Sequence, residues 1–212
     1  MRGNGRKRAS IRAEARAGKE ALYRDAVVGA AEKVFATRGF ERAKVQEISA
    51  ACGLSMGTIY ALFPGKEELY KSLLQQRAEE LLALVREVVR SGVSARQALR
   101  TLIESYVDYF VAHPDFLRMQ LRAGAAWMLH GPDTEVTNLH ASWQIHAVHA
   151  ELFKQGMEEG TFRREDPDFC ASVLSGMDQV LLADWVAKGM KQSRDQLVDR
   201  LEGLVLRTFG TR

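Results

Sequence analysis

Two segments too short to persist as isolated helices, Val45–Cys52 and Met56–Leu62, are separated only by Gly53-Leu54-Ser55. A helix of two turns gains little from its own hydrogen bonds, so a pair of them has to be held by neighbouring elements. The residues between them supply the joint. Gly53 can end the first helix in a left-handed conformation that a β-carbon disfavours, Leu54 can plug the corner, and Ser55 is a natural N-cap for the second helix. Ala51 is expected where the two helices approach closely. Val45, Ile48, Leu54, Ile59 and Phe63 form an apolar side that packs on the preceding and following helices. This is the pattern of a helix-turn-helix unit.

Once that apolar side is turned inward, Ser55, Met56, Gly57, Thr58, Tyr60 and Ala61 remain on the outer face of the second helix. They are short or hydrogen-bonding groups, with Gly57 leaving room for a close backbone. Such a face is either plain solvated surface or a fit to the DNA major groove. The distribution of charge favours the second reading. Residues 1–70 hold 13 Lys/Arg against 8 Asp/Glu, a net of +5, whereas residues 71–212 hold 17 against 19, a net of −2. A basic front on a slightly acidic body implies a polyanionic partner for the front alone. Much of the excess sits in Arg2, Arg6, Lys7, Arg8, Arg12, Arg16 and Lys19. Residues 1–18, rich in Gly, Asn, Arg and Ser, read as a disordered basic arm, either reaching a minor groove or simply solvated.

From Lys19 an amphipathic pattern through Leu22, Val27, Ala31 and Phe35 ends at Arg38-Gly39, a cation in the last turn followed by a capping glycine. After Pro64-Gly65 a long helix runs from Lys66 to about Arg90, and further helical stretches are expected at about 94–112, 115–129, 133–159, 167–188 and 194–209. No segment alternates as a strand does. The expected fold is all-α with about nine helices, in a helix-turn-helix domain over 19–70 and a helical domain over 71–212. No stretch approaches the roughly 18 apolar residues a membrane span needs, and no secretory leader is evident, so a cytoplasmic location with no membrane partner is expected. Cys52 and Cys170 belong to no cysteine or Cys/His cluster and read as small buried thiols.

Residues Gly39-Phe40, Ile48, Ala51-Cys52-Gly53-Leu54-Ser55-Met56-Gly57-Thr58-Ile59-Tyr60 and Phe63-Pro64-Gly65-Lys66-Glu67-Glu68-Leu69 together resemble the DNA-binding domain of the TetR family of bacterial transcriptional regulators. The resemblance covers about residues 20–70 and is specific, because apolar, Gly, Tyr, Phe and Lys positions agree at once. It implies that Met56, Gly57, Thr58 and Ala61 face base edges, that Ser55 and Tyr60 grip phosphates, and that Lys66 holds a further phosphate. Lys66 has an independent motive: a cation in a first helical turn opposes the helix dipole, and an external phosphate would relieve that. Lys44 stands where the family usually has Thr, which removes an N-cap but offers another phosphate cation. Ser49 and Cys52 replace usual alanines, and Met56 replaces a polar residue, so base preference does not carry over.

The second half is rich in aromatic and flexible apolar groups, most of which read as ordinary core. The resemblance implies a pocket among the fifth to eighth helices for a small apolar effector, with Tyr106, Phe110, Trp127, Trp143 and His146 as candidate lining. His140, His146 and His149 lack a carboxylate or thiol in register, so no metal site is expected and hydrogen bonding is the better role. The last two helices carry apolar stripes with small residues. In the family such helices pair with their copies, so Val173, Gly176, Val180, Leu197, Leu201 and Leu204 are candidates for a homodimer interface. No phosphate loop, nucleophile elbow or zincin motif is present, so an enzyme is not expected and no cofactor is implied. The expected function is a homodimeric repressor that binds double-stranded DNA at a palindromic operator and is released by its effector; an activator or a non-specific DNA-binding protein is the alternative.

Overall fold

The computed structural model describes residues 3–90, 92–123 and 140–211. Among these it has nine helices and no strand: α1 (Gly3–Arg38), α2 (Val45–Cys52), α3 (Met56–Leu62), α4 (Lys66–Arg90), α5 (Ala95–Ala112), α6 (Pro114–Ala123), α7 (His140–Glu158), α8 (Pro167–Ala187) and α9 (Arg194–Phe209). The chain divides into two compact units, Met1–Leu73 and Leu74–Arg212. Among the described residues no helix is long and apolar enough to cross a membrane.

The expectation of a disordered arm is corrected, because α1 begins at Gly3 and not near Lys19. The physical reason lies in Ala9, Ala13, Ala15 and Ala17, which alternate with Arg and Glu, all strong helix formers. Residues 14–22 of this helix are exposed, and Leu22, read as part of the apolar stripe, is 70% exposed. Burial begins at Val27, and from there Val27, Ala31 and Phe35 are completely enclosed.

The first unit closes on Phe35, Ile48, Ile59, Leu69 and Leu73, each at most 1% exposed. Phe35 meets Tyr70 edge-on with ring centroids 5.2 Å apart, and Phe40 lies 4.9 Å from Tyr70. This cluster fixes the start of α4 against the end of α1, which sets the frame for the two short helices between them.

In the second unit α5 supplies Leu99, Leu102, Ile103, Tyr106, Val107 and Phe110 to the core. Helix α9 runs antiparallel to it and buries Leu197, Val198, Leu201, Val205 and Phe209. Two ion-pair groups hold the pair in register. Arg100 reaches Asp199 at 3.2 Å and Glu202 at 2.5 Å, and Arg194 bonds both carboxylate oxygens of Asp108 at 2.7 and 2.9 Å. In the last turn of α7, a β-carbon on Gly156 would overlap the Phe162 ring, so only glycine lets that ring lie on the helix. Phe162 is thereby enclosed between Phe153 and the chain end, where the Arg163 amide donates to the Phe209 carbonyl at 2.8 Å. Cys170 is buried and burial pushes its thiol up to about 11, so it stays protonated and inert.

Candidate nucleic-acid interface

The turn between α2 and α3 is built as its residues dictate. Gly53 adopts φ 73°, ψ 13°, and its amide donates to the Ser49 carbonyl at 3.0 Å. The Ser49 hydroxyl donates in turn to the Leu54 carbonyl at 2.6 Å. Ser49 is thus a second fastening of the turn, beyond a tolerated replacement for alanine. Ala51 is exposed, while Ser49 and Cys52 are half-buried. This corrects the expectation for Ala51: in the helical register set by Val45 and Ile48, positions 49 and 52 face the turn and position 51 faces water.

At the start of α2 no side chain of residue 44 caps the helix. Glu47 does so from the third position, accepting the Lys44 amide at 3.1 Å and the Arg38 guanidinium at 3.1 Å, a carboxylate placed where the helix dipole favours it. The Lys44 side chain is left exposed. At the start of α3 the Ser55 hydroxyl accepts the Thr58 amide at 3.1 Å and shares a hydrogen bond with the Thr58 hydroxyl at 2.9 Å.

Helix α3 therefore presents a defined outer face. Ser55, Gly57, Tyr60 and Ala61 are exposed, Met56 and Thr58 are half-buried, and Ile59 is enclosed. Tyr60 is 47% exposed, and a β-carbon at Gly57 would meet nothing closer than the Ser55 hydroxyl at 3.9 Å. The far end is held by a residue not singled out from the sequence. Arg24 of α1 donates to the Leu62 carbonyl at 2.9 Å while its guanidinium lies 4.8 Å from the Phe63 ring centroid. The signal was available in a cation placed on the exposed flank of an amphipathic helix, but its partner is 38 residues away.

Lys66 needs a revised physical account. Its ammonium donates to the carbonyls of Phe40 at 2.8 Å and Glu41 at 3.3 Å, and sits 4.4 Å from the Phe40 ring centroid. The conflict between this cation and its helix dipole is relieved within the chain, so that conflict by itself no longer calls for an external phosphate.

Known proteins match both units. The profile described as bacterial regulatory proteins of the tetR family matches residues 27–73, and the tetracyclin repressor-like C-terminal domain matches residues 92–209, more than half of the chain. The chain belongs to the TetR family. It is a DNA-binding transcriptional regulator and not an enzyme. Relatives include the repressor NicS of Pseudomonas putida, 29% identical over 141 residues, which is 66% of this chain and 66% of that protein. The activator FasR of Mycolicibacterium smegmatis is 37% identical over 84 residues, 40% of this chain, and the match spans only 38% of FasR's own length. The structure of FadR from Bacillus subtilis in complex with stearoyl-CoA superposes with a TM-score of 0.71 at 18% identity, covering 85% of this chain and 96% of that one; at that identity it speaks for the fold.

In this TetR-family regulator the residues expected to line a pocket divide. Tyr106 and Phe110 of α5 are buried, and Phe110 stacks on Phe116 with centroids 6.1 Å apart. Trp143 is 44% exposed. His146 is half-buried, with Nε2 3.3 Å from the exposed carboxylate of Asp168. Trp127 and the side chain of His140 lie outside the described residues. His149 is 3% exposed and its Nε2 is 3.0 Å from the Tyr106 hydroxyl. Asp178 of α8, not singled out from the sequence, is also buried, near enough to Tyr106 for its charge to act there. Burial pushes its carboxyl up to about 7, and burial together with the Asp178 charge holds the Tyr106 hydroxyl well above its ordinary value.

The candidate interface residues divide as well. Leu197 and Leu201 are at most 1% exposed and belong to the protomer's own core against α5, which corrects their assignment to a dimer contact. On the other side of α8, Val180 is 70% and Phe169 53% exposed, with Val173 and Gly176 half-buried between them. Leu204 of α9 is also half-buried.

Proposed function

We propose that this regulator is a homodimeric repressor that reads a palindromic operator and leaves it when a small apolar effector binds its C-terminal unit. The observation that carries this reading is α3, a seven-residue helix whose two ends are fixed by Ser55 and Arg24 while Gly57, Tyr60 and Ala61 face outward. A helix so short, rigidly presented and bare, suits the major groove. In this reading Met56, Gly57, Thr58 and Ala61 approach base edges, and Ser55 and Tyr60 grip phosphates. Lys44 adds an exposed cation. Lys66 anchors the loop after α1 and keeps one of its three N–H groups for a phosphate.

The outward stripe of Phe169, Val173, Gly176 and Val180, with Leu204, is an apolar face that a second copy would cover, and a two-fold dimer suits an inverted-repeat site. NicS, named a repressor, supports that sign of control; FasR, named an activator, supports the opposite one. A stearoyl-CoA complex in the same fold supports an effector with an apolar body. Release requires the effector to favour one state over the other, not merely to bind.

Light scattering of the purified protein, alone and with an operator duplex, tests the assembly. Two protomers alone and two on one duplex are expected; a monomer that binds DNA singly would overturn the dimer. In a transcription assay on the same duplex, reduced transcription supports a repressor and increased transcription the activator.

A further inference from the structure

The inward face of α8 carries Ala171, Leu174, Asp178, Leu181, Leu182 and Trp185, apolar throughout except for one carboxylate. Asp178 is 8% exposed, and its Oδ1 has no hydrogen-bond partner among the described residues. A buried carboxylate without a donor is costly, and an apolar residue of similar volume would serve stability better. Tyr106 from α5 and His149 from α7, at 7% and 3% exposure, meet at 3.0 Å, and the Asp178 charge is felt at the Tyr106 hydroxyl. Three helices thus each bring one polar side chain into one apolar region.

We propose that Asp178, with the Tyr106–His149 pair, is the polar anchor of the effector site, and that the effector presents a protonated amine on an apolar body. An ammonium supplies both things the carboxylate lacks: N–H donors for its open lone pairs and a charge that offsets its own. A hydroxyl would supply only a donor, and a carboxylate or phosphate head would meet repulsion. The Tyr106 hydroxyl and His149 ring supply further polar contacts for the head, since each can donate or accept. This proposal rests on the reading of the C-terminal unit as effector-binding, and narrows the effector's chemical class.

The test uses the full chain and three probes with one common tail, octylamine, 1-octanol and octanoate. Binding is measured by calorimetry and by release of an operator duplex. Octylamine is expected to bind in preference to the other two and to weaken DNA binding. Asp178→Asn keeps the shape, removes the charge and is expected to fold; its affinity for octylamine should fall about tenfold or more while octanol is unaffected. Octanoate or octanol binding as well as octylamine, octylamine failing to bind the wild-type chain, or Asp178→Asn keeping full octylamine affinity would each overturn the anchor. Any of these with sequence-specific DNA binding intact leaves the regulator standing, whereas loss of that binding in the wild-type chain strikes the broader reading instead.

Discussion

The guanidinium of Arg24, near the middle of α1, donates to the carbonyl of Leu62, the last residue of α3, at 2.9 Å. The C-terminal carbonyls of a seven-residue helix have almost no intrahelical partners, so this bond and the stacking on Phe63 fix how α3 is presented. Arg24→Ala is expected to cost about 1 kcal/mol of stability in urea unfolding, as a partly exposed charged hydrogen bond does. Operator affinity should fall more than affinity for random DNA, because α3 loses its orientation. Equal losses on both DNAs would mean that Arg24 acts only as surface charge.

Lys66 carries two separable roles. Lys66→Met keeps the aliphatic stem but removes the bonds to the Phe40 and Glu41 carbonyls, and about 1 kcal/mol of stability should go with them. If the remaining N–H meets a phosphate, the slope of log affinity against log salt also shrinks by about 0.9 for each phosphate no longer neutralised. Fluorescence anisotropy at several salt concentrations reads that slope; an unchanged slope would leave Lys66 a positioning residue only.

Among the described residues, Gly156 is the tightest glycine site whose conflict is with a side chain. Its replacement by Ala drives a β-carbon into the Phe162 ring, which is enclosed and cannot swing into solvent. Gly156→Ala is expected to destabilise the second unit by about 2 kcal/mol, typical of overpacking, read as a lower thermal midpoint. No change would mean that α7 and the Phe162 turn separate easily.

Asp178 makes stability fall as pH rises. Its carboxyl is raised from 3.8 to about 7 in the folded chain, so between those values the native state binds more protons than the unfolded one. Stability is undiminished below the unfolded value and is lost as pH climbs through the folded one, by up to about 4 kcal/mol. Asp178→Asn should therefore exceed the wild-type chain in urea resistance at pH 8 and lose that advantage near pH 4. A constant difference across this range would show that the carboxyl titrates normally.

The helix-turn-helix was legible because it is written locally. Gly53 and Ser55 mark both ends of the turn, and α2 and α3 occupy Val45–Cys52 and Met56–Leu62 as their caps require. What failed depended on distant partners or on choosing a face. The first residues look loop-like, yet the alanines that follow carry α1 back to Gly3. Helix α8 is apolar on two sides, so periodicity identified the Val173–Gly176–Val180 stripe but not that Leu174, Asp178 and Leu182 form the inward one. Leu197 and Leu201 sit four apart on an apolar stripe, and only the antiparallel packing of α5 shows that the protomer itself covers them. The Lys66 ammonium is 26 residues from the Phe40 carbonyl it meets, a distance no local pattern spans.

The most direct test of α3 as a base-reading helix is a binding selection of the purified protein on random DNA duplexes, run at two salt concentrations. An inverted repeat with two half-sites about one helical turn apart is the predicted result, and it should survive at the higher salt. A pool without consensus, with binding that simply fades as salt rises, would contradict sequence-specific reading by α3.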